Sequence, residues 1–247
     1  MRDYLQNKVI LITGSSGGIG SATATLASES GAKVILHGNT NSKKLEGLAR
    51  KLKADFIACD VTNKSSVIKE VKRIVEKTKK IEGLINCAGI VRPKPFLETE
   101  DENWLEEYKV NFLGTVHFCQ AVIPYMLKNK YGRIVNIASI RGHSATSTPR
   151  GMSYSASKAA IVNLTAALAK EYAPNIAVNA VSPGFVQTEM SKTWNETVWN
   201  QAKSSLLKRT AQPSEIGEAL LFLISGKASF ITGQTILVDG GYTISGK

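Results

Sequence analysis

Tyr154 and Lys158 stand four apart in the run Tyr154-Ser155-Ala156-Ser157-Lys158, which puts a phenol and an ammonium on one helical face. A phenol can pass a proton to or from an oxygen, and a neighbouring cation favours its ionised form. The spacing alone carries little weight in a chain with seven tyrosines and 23 lysines, and Tyr4 and Lys8 repeat it at the entry to the first apolar run. A second chemical stretch is Thr13-Gly14-Ser15-Ser16-Gly17-Gly18-Ile19-Gly20, between a strand-like run and a helix-like one. A helix N-terminus offers unpaired N–H groups and partial positive charge, so it receives anions. Glycines there let the backbone approach a pyrophosphate, and the last lets helix and strand pack closely. The spacing Gly14-x3-Gly18-x-Gly20 departs from G-x-G-x-x-G, and a plain tight turn is the alternative.

The end of the second strand reads His37-Gly38-Asn39-Thr40-Asn41-Ser42-Lys43-Lys44, without an acid. An acid there would bond a ribose 2′-hydroxyl and repel a 2′-phosphate. Polar donors such as Asn39, with two lysines, suit the phosphate of NADP; NAD is the alternative cofactor. Lys43 and Lys44 also fit the solvated face of a helix.

These residues need a scaffold. Short runs rich in β-branched residues at 8–13, 33–37, 56–59, 84–86, 133–138, 177–181 and 235–238 read as seven strands. Helical patterns lie between them. They span 19–30, a segment capped by Ser42 with the stripe Leu45, Leu48 and Leu52, the stretch 65–80 with Val67, Val71, Ile74 and Val75 on one face, and long runs at 104–128 and 154–172. Alternation of this kind means βαβ units and a mostly parallel sheet covered on both faces. No break in composition or internal repeat divides the chain, so residues 1–247 read as one domain. The polar stretch 187–212, with Trp194 and Trp199, is a candidate flap over a site.

Composition narrows the classes. The chain has 247 residues, 43% apolar and 21% charged, with formal charge +11 and a pI near 9.5. Collagen-like, disordered and disulfide-scaffold classes are excluded. No unbroken apolar run nears the ~18 residues of a membrane span, and Met1-Arg2-Asp3-Tyr4 leads straight into strand-like sequence. Cys59, Cys87 and Cys119 sit in apolar surroundings without metal-ligand spacing, which reads as reduced thiols, a cytoplasmic protein and no metal site. The positive charge raises nucleic-acid binding as a rival class. Lys69, Lys72, Arg73, Lys77 and Lys80 recur on one helical face, but without interleaved aromatics or a reader motif.

Over nearly its whole length the sequence resembles the short-chain dehydrogenase/reductase family. The landmarks fall in family order: TGSSGGIG at 13–20, Asp60-Val61, Asn86-Cys87-Ala88-Gly89, Asn111, Ser139, Tyr154 with Lys158, Pro183-Gly184 and Asp239-Gly240-Gly241. The resemblance implies an α/β, single-domain, Rossmann-type doubly wound parallel sheet. It implies Tyr154 as proton donor in reduction, Ser139 as orienter of the carbonyl oxygen, and Lys158 as holder of the ribose that lowers the Tyr154 pKa. Asn111 would sit at a helix kink and hold a proton-relaying water. Gly14, Ser16, Gly18, Ile19 and Gly20 would line the pyrophosphate, Asp60 and Val61 the adenine, Asn86 with Ala88 and Gly89 the adenosine ribose region. Pro183, Gly184, Val186 and Thr188 would border the nicotinamide. Moving a phenol from pKa ~10 toward neutrality takes about 4 kcal/mol, the order one nearby charge supplies in a partly dry cleft.

Three departures stand out. Cys87 replaces the family's usual second asparagine. Ser139 and Tyr154 are 15 apart, a longer interval than is common, the excess falling in 141–152 beside the expected substrate. Gly17 stands where NADP-preferring members often carry arginine. Within the family the chain looks most like the 3-oxoacyl-[acyl-carrier-protein] reductases, on GFVQTEM at 184–190, RTAQPSEIGEALLFL at 209–223 and ITGQTILVDGG at 231–241. That implies a 3-oxoacyl thioester on an acidic carrier, with Lys128, Lys130 and Arg133 as a docking rim, no membrane or nucleic-acid partner, and a homotetramer. The alternatives are an NAD(P)-dependent dehydrogenase of a sugar, polyol or other secondary alcohol, and a non-catalytic or nucleic-acid-binding protein.

Overall fold

The structure, a computed structural model of the chain, describes residues 4–40 and 42–245. Met1, Arg2, Asp3 and Asn41 of the stretches quoted above lie outside the described residues. Seven strands form one sheet: β1 Val9–Ile12, β2 Lys33–Gly38, β3 Asp55–Ala58, β4 Gly83–Asn86, β5 Gly132–Ile137, β6 Ile176–Pro183 and β7 Thr235–Val238. The order is β3-β2-β1-β4-β5-β6-β7, and every pairing is parallel. The helices are α1 Gly18–Glu29, α2 Lys43–Leu52, α3 Lys64–Thr78, α4 Asp101–Tyr108, α5 Gly114–Lys128, α6 Met152–Tyr172, α7 Glu196–Ala202 and α8 Pro213–Ile224.

Alternation along the strands builds a core on each face. Val9, Leu11, Leu84 and Ile134 join Val67, Val71 and Ile74 of α3 and Phe118, Val122 and Met126 of α5. Their neighbours Ile10, Ile12, Ile85 and Val135 join Ala24 and Ala27 of α1, Leu45 of α2 and Ile216 and Leu220 of α8. The chain is thus the doubly wound sheet expected. Its strand order turns back between β1 and β4, and at such a switch point the crevice beyond the C-terminal strand ends receives ligands. Ser42 caps α2 as expected, its hydroxyl accepting from the Leu45 N–H at 3.2 Å.

Four stretches carry detail that periodicity did not show. The long helix read at 104–128 is interrupted: a π-helical turn, Lys109–Leu113, separates α4 from α5. The combined run Asp101–Lys128 is long and apolar enough by composition to cross a membrane, but half of its apolar window is buried within the fold. The 187–212 segment carries structure of its own, a 3-10 turn Glu189–Thr193 followed by α7. It is pinned at its base by Gln187 N–H to the Ala211 carbonyl at 2.9 Å. Aromatic edges fasten it further, Phe185 to Trp194 at 5.4 Å and Trp194 to Trp199 at 5.2 Å. On the basic face of α3, Arg73 pairs with Glu70 and Lys77 with Asp55, while Lys80 beyond its end pairs with Glu82, which reduces the charge available to a nucleic acid. The Tyr4/Lys8 repeat comes apart: Tyr4 packs under Lys227 and Lys8 pairs with Glu82.

Candidate active site

The turn between β1 and α1 is built by backbone proximity. Gly14 takes φ +64°, and a Cβ there would lie 2.9 Å from the Ala88 backbone; a Cβ on Gly20 would lie 2.4 Å from the Gly14 carbonyl oxygen. Both positions therefore require glycine. Gly18 faces Thr188, whose Cγ2 lies 3.4 Å from where a Cβ would stand, so the start of the 187–212 segment rests on this turn. A Cβ on Gly17 would meet nothing within 4 Å, and no side chain caps the N-terminus of α1. Glycine-lined turn, open mouth and uncapped helix fit a dinucleotide pyrophosphate. Ser16 and Ile19 lie half-buried on the same turn.

Two residues that motif reading passed over hold this turn. The Thr13 hydroxyl accepts from the Cys87 and Ala88 N–H groups, each at 3.0 Å, locking the β1 turn to the loop after β4. The His37 Nδ1 accepts from the Gly14 N–H at 3.2 Å, which leaves Nε2 to donate to the Cys59 carbonyl at 3.0 Å. Burial pushes His37 down to about 4, so the ring stays neutral. Neither Thr nor His at a strand end signals such a role in sequence, because the partners come from other strands.

Ser139 follows β5, and its Oγ accepts from the Arg141 N–H at 3.1 Å, leaving its proton free to donate. Tyr154 and Lys158 lie in the first turns of α6, with the Lys158 Nζ 5.7 Å from the phenol ring centre. That Nζ donates to the Ile137 carbonyl at 2.8 Å. Burial pushes Lys158 down to about 8. Burial also raises the Tyr154 pKa, opposed by a hydrogen bond from Ser139; the Glu107 charge raises it further and the Arg141 charge lowers it. The expected lowering by Lys158 is thus not what these side chains produce: desolvation of the phenolate outweighs the favourable contacts. Cys87 is pushed up to about 12 by burial, an inert packing thiol.

Asn111 occupies the π-helical turn, the kink expected of it, and is fully buried. Its side chain is consumed by protein. Nδ2 donates to the Ile90 carbonyl at 3.0 Å and to the Ser157 Oγ at 3.1 Å, while Oδ1 accepts from the Ile90 N–H at 2.8 Å. It thereby fastens the loop after β4 to α6. Gly89 stands between, where a Cβ would lie 3.1 Å from Asn111 Oδ1 and 3.7 Å from Lys158 Nζ.

The remaining expected contacts divide. Asn39 is exposed at the end of β2, and Asp60 is exposed after β3, its Oδ1 accepting from the Thr62 N–H. Val61 is buried beneath Gly114. Pro183 ends β6 and Gly184 and Val186 follow it, with Gly184 against the Asp239 backbone and Val186 bridged to Ala211. Asn86 is a correction. Its side chain points into the core, where Nδ2 donates to Asn136 Oδ1 at 2.9 Å and contacts Cys119 Sγ, so it does not face the crevice. Strand alternation decides this, since the next residues turn outward only after β4 ends. Arg133 is a second correction: it is 8% exposed, donates to the Ala228 carbonyl and packs over Tyr131. Among the described residues no group of three or more His, Cys, Asp or Glu could hold a metal.

Comparison with known proteins agrees with this geometry. Residues 14–243 match the family model described as enoyl-(acyl carrier protein) reductase. The 3-oxoacyl-[acyl-carrier-protein] reductase FabG of Thermotoga maritima is 38% identical over 97% of this chain and 99% of that protein. A cyclopentanol dehydrogenase of Comamonas sp. is 37% identical over 97% of this chain and 98% of its own. Among solved structures, the 3-oxoacyl-[acyl-carrier protein] reductase of Brucella melitensis superposes with TM-score 0.89 at 32% identity, covering 97% of this chain and 92% of that one. The aldohexose dehydrogenase of Thermoplasma acidophilum superposes with TM-score 0.86 at 31% identity, covering 98% and 96%. With a glycine turn at the switch point, a serine after β5 and a phenol beside an ammonium at the head of α6, the chain belongs to the short-chain dehydrogenase/reductase family and is an NAD(P)-dependent oxidoreductase.

Proposed function

We propose that the chain reduces a 3-oxoacyl thioester, carried on an acyl carrier protein, to the 3-hydroxyacyl form with NADPH, in fatty-acid synthesis. The observation that carries this reading is the meeting of Ser139, Tyr154 and Lys158 beside the glycine turn, in a chain whose near-full-length relatives include several 3-oxoacyl-[acyl-carrier-protein] reductases. Gly14, Ser16, Gly18, Ile19 and Gly20 would hold the pyrophosphate, Asn39 with Lys43 and Lys44 the 2′-phosphate, and Asp60 and Val61 the adenine. The backbone at Ala88 and Gly89 would face the ribose, and Pro183, Gly184, Val186 and Thr188 the nicotinamide.

A bound nicotinamide supplies the hydride that reaches the carbonyl carbon. The Ser139 hydroxyl donates to the carbonyl oxygen and orients it. The Tyr154 phenol gives that oxygen its proton, and Lys158 holds the ribose hydroxyls and stabilises the phenolate left behind. Asn111, its side chain held by Ile90 and Ser157, keeps the loop after β4 against the helix that carries Lys158. Free thiols, Cys59 and Cys119 buried and Cys87 half-buried, fit the cytoplasm. Exposed Leu105 and Tyr108 on α4, and Phe222, Phe230 and Leu237 around β7, fit a homotetramer.

One observation favours a second reading, a dehydrogenase of a free secondary alcohol, sugar or polyol. Buried Arg133 cannot serve a carrier rim, and the exposed Lys128 and Lys130 precede β5, whereas Ser139 follows it. The strand between them spans about 20 Å. The test is nicotinamide absorbance with NADPH and acetoacetyl thioester, repeated with NADH and with cyclopentanol, aldohexoses and polyols. Thioester turnover preferring NADPH is expected. Turnover of a free alcohol with none on the thioester replaces the first reading by the second.

A further inference from the structure

Glu107 is a carboxylate with no exposed surface, and no step above uses it. It lies in the last turn of α4. One oxygen accepts from the Arg92 N–H in the loop after β4, and the other accepts from the Ser153 hydroxyl, in the first turn of α6 directly before Tyr154. Its neighbour Glu106 points outward to Arg92 at 3.7 Å. A buried carboxylate is costly unless hydrogen bonds satisfy it. Here two donors do, and the N-terminus of α6, whose N-cap Gly151 has no side chain, favours negative charge beside it. The three elements joined by Glu107 are those that must keep register for Tyr154 to face the crevice.

Resting on the reading of Tyr154 as proton donor, we propose that Glu107 is a positioning residue: it clamps the first turn of α6 to the loop after β4 and so fixes the phenol that follows Ser153. The groups that bear on the phenol are Ser139 and Arg141 from the turn after β5, Glu107 from α4 and Lys158 from α6. Cys87, in the loop after β4, bears on Lys158. Glu107 is the negative charge among them, and it opposes Arg141 at the phenol. Its charge therefore favours reduction, which needs a protonated phenol, over oxidation, which needs the phenolate.

The test uses the full chain with bound NADP+ and follows tyrosinate absorbance against pH, the Tyr154→Phe curve subtracted. Glu107→Gln is expected to move the Tyr154 midpoint down by about half a unit or more. The alkaline limb of reductase activity should move with it, while nucleotide affinity stays within about twofold. Glu107→Asp, which keeps the charge and shortens the reach, should keep the midpoint and lose kcat severalfold. Should Glu107→Gln fail to fold, Ser153→Ala cuts the clamp and keeps the charge: a severalfold loss of kcat at unchanged midpoint is expected, and wild-type kcat overturns the proposal. A folded Glu107→Gln whose midpoint and limb overlay the wild type also overturns it. Because the titration needs no substrate, a wild type that turns over no carbonyl compound overturns the reductase reading instead and is distinguishable from an unmoved midpoint.

Discussion

The two walls of the crevice are built by different means. On the nucleotide side, backbone meets backbone, Gly20 against the Gly14 carbonyl and Gly14 against Ala88, with Gly18 beneath the Thr188 side chain. On the substrate side, long side chains reach between distant segments. Arg141 donates to the Thr146 carbonyl and to Gln201 of α7 and lies over Phe185. His143 meets Ser182, and Phe185 packs on Trp194 and Tyr242. Backbone proximity admits one residue type at each point. Side-chain bridging admits many, so this wall is free to change shape with substrate while the other stays constant.

The comparison can be broken most sharply at the residue both walls serve. Tyr154→Phe should lower turnover by about 100-fold or more while nucleotide affinity is retained; steady-state rates and a nucleotide titration check both halves. Loss of both together would mean that the walls are not separable.

The nucleotide wall should be the acid-sensitive one. His37 is depressed from 6.5 to about 4 by burial. The unfolded chain therefore binds its proton first, and the stability His37 contributes is present above pH 6.5 and lost as pH falls through about 4. The contribution is on the order of 3 kcal/mol. His37→Gln, able to keep both hydrogen bonds, should flatten that part of the stability–pH curve measured by denaturant unfolding. An unchanged slope would place the acid sensitivity elsewhere.

A smaller effect is expected from Gly20→Ala. It should cost about 1–3 kcal/mol through the clash with the Gly14 carbonyl and weaken nucleotide binding more than substrate binding. The smallest effect belongs to the flap. Trp194→Ala removes two aromatic contacts of about 0.5–1.5 kcal/mol each, and should raise KM for substrate severalfold with nucleotide affinity untouched. A fall in nucleotide affinity instead would show that Trp194 also holds Thr188 in place on the nucleotide wall.

The sequence by itself settled the alternation of seven strands with helices, the Ser42 cap, the glycine turn and the order of Ser139, Tyr154 and Lys158. Each depends on periodicity or on a backbone contact that a single residue type satisfies, so each is written locally. Tertiary structure alone decided that Asn86 and Arg133 turn inward, because strand register and neighbouring strands set which way a side chain faces. It likewise decided that the run at 104–128 breaks at a π-helical turn, where Asn111 takes both hydrogen-bonding groups of Ile90. The net field at Tyr154, raised by burial and by Glu107 against Ser139 and Arg141, belongs to the same class. A pKa is summed over charges and desolvation from three separate segments, and no local pattern records that sum.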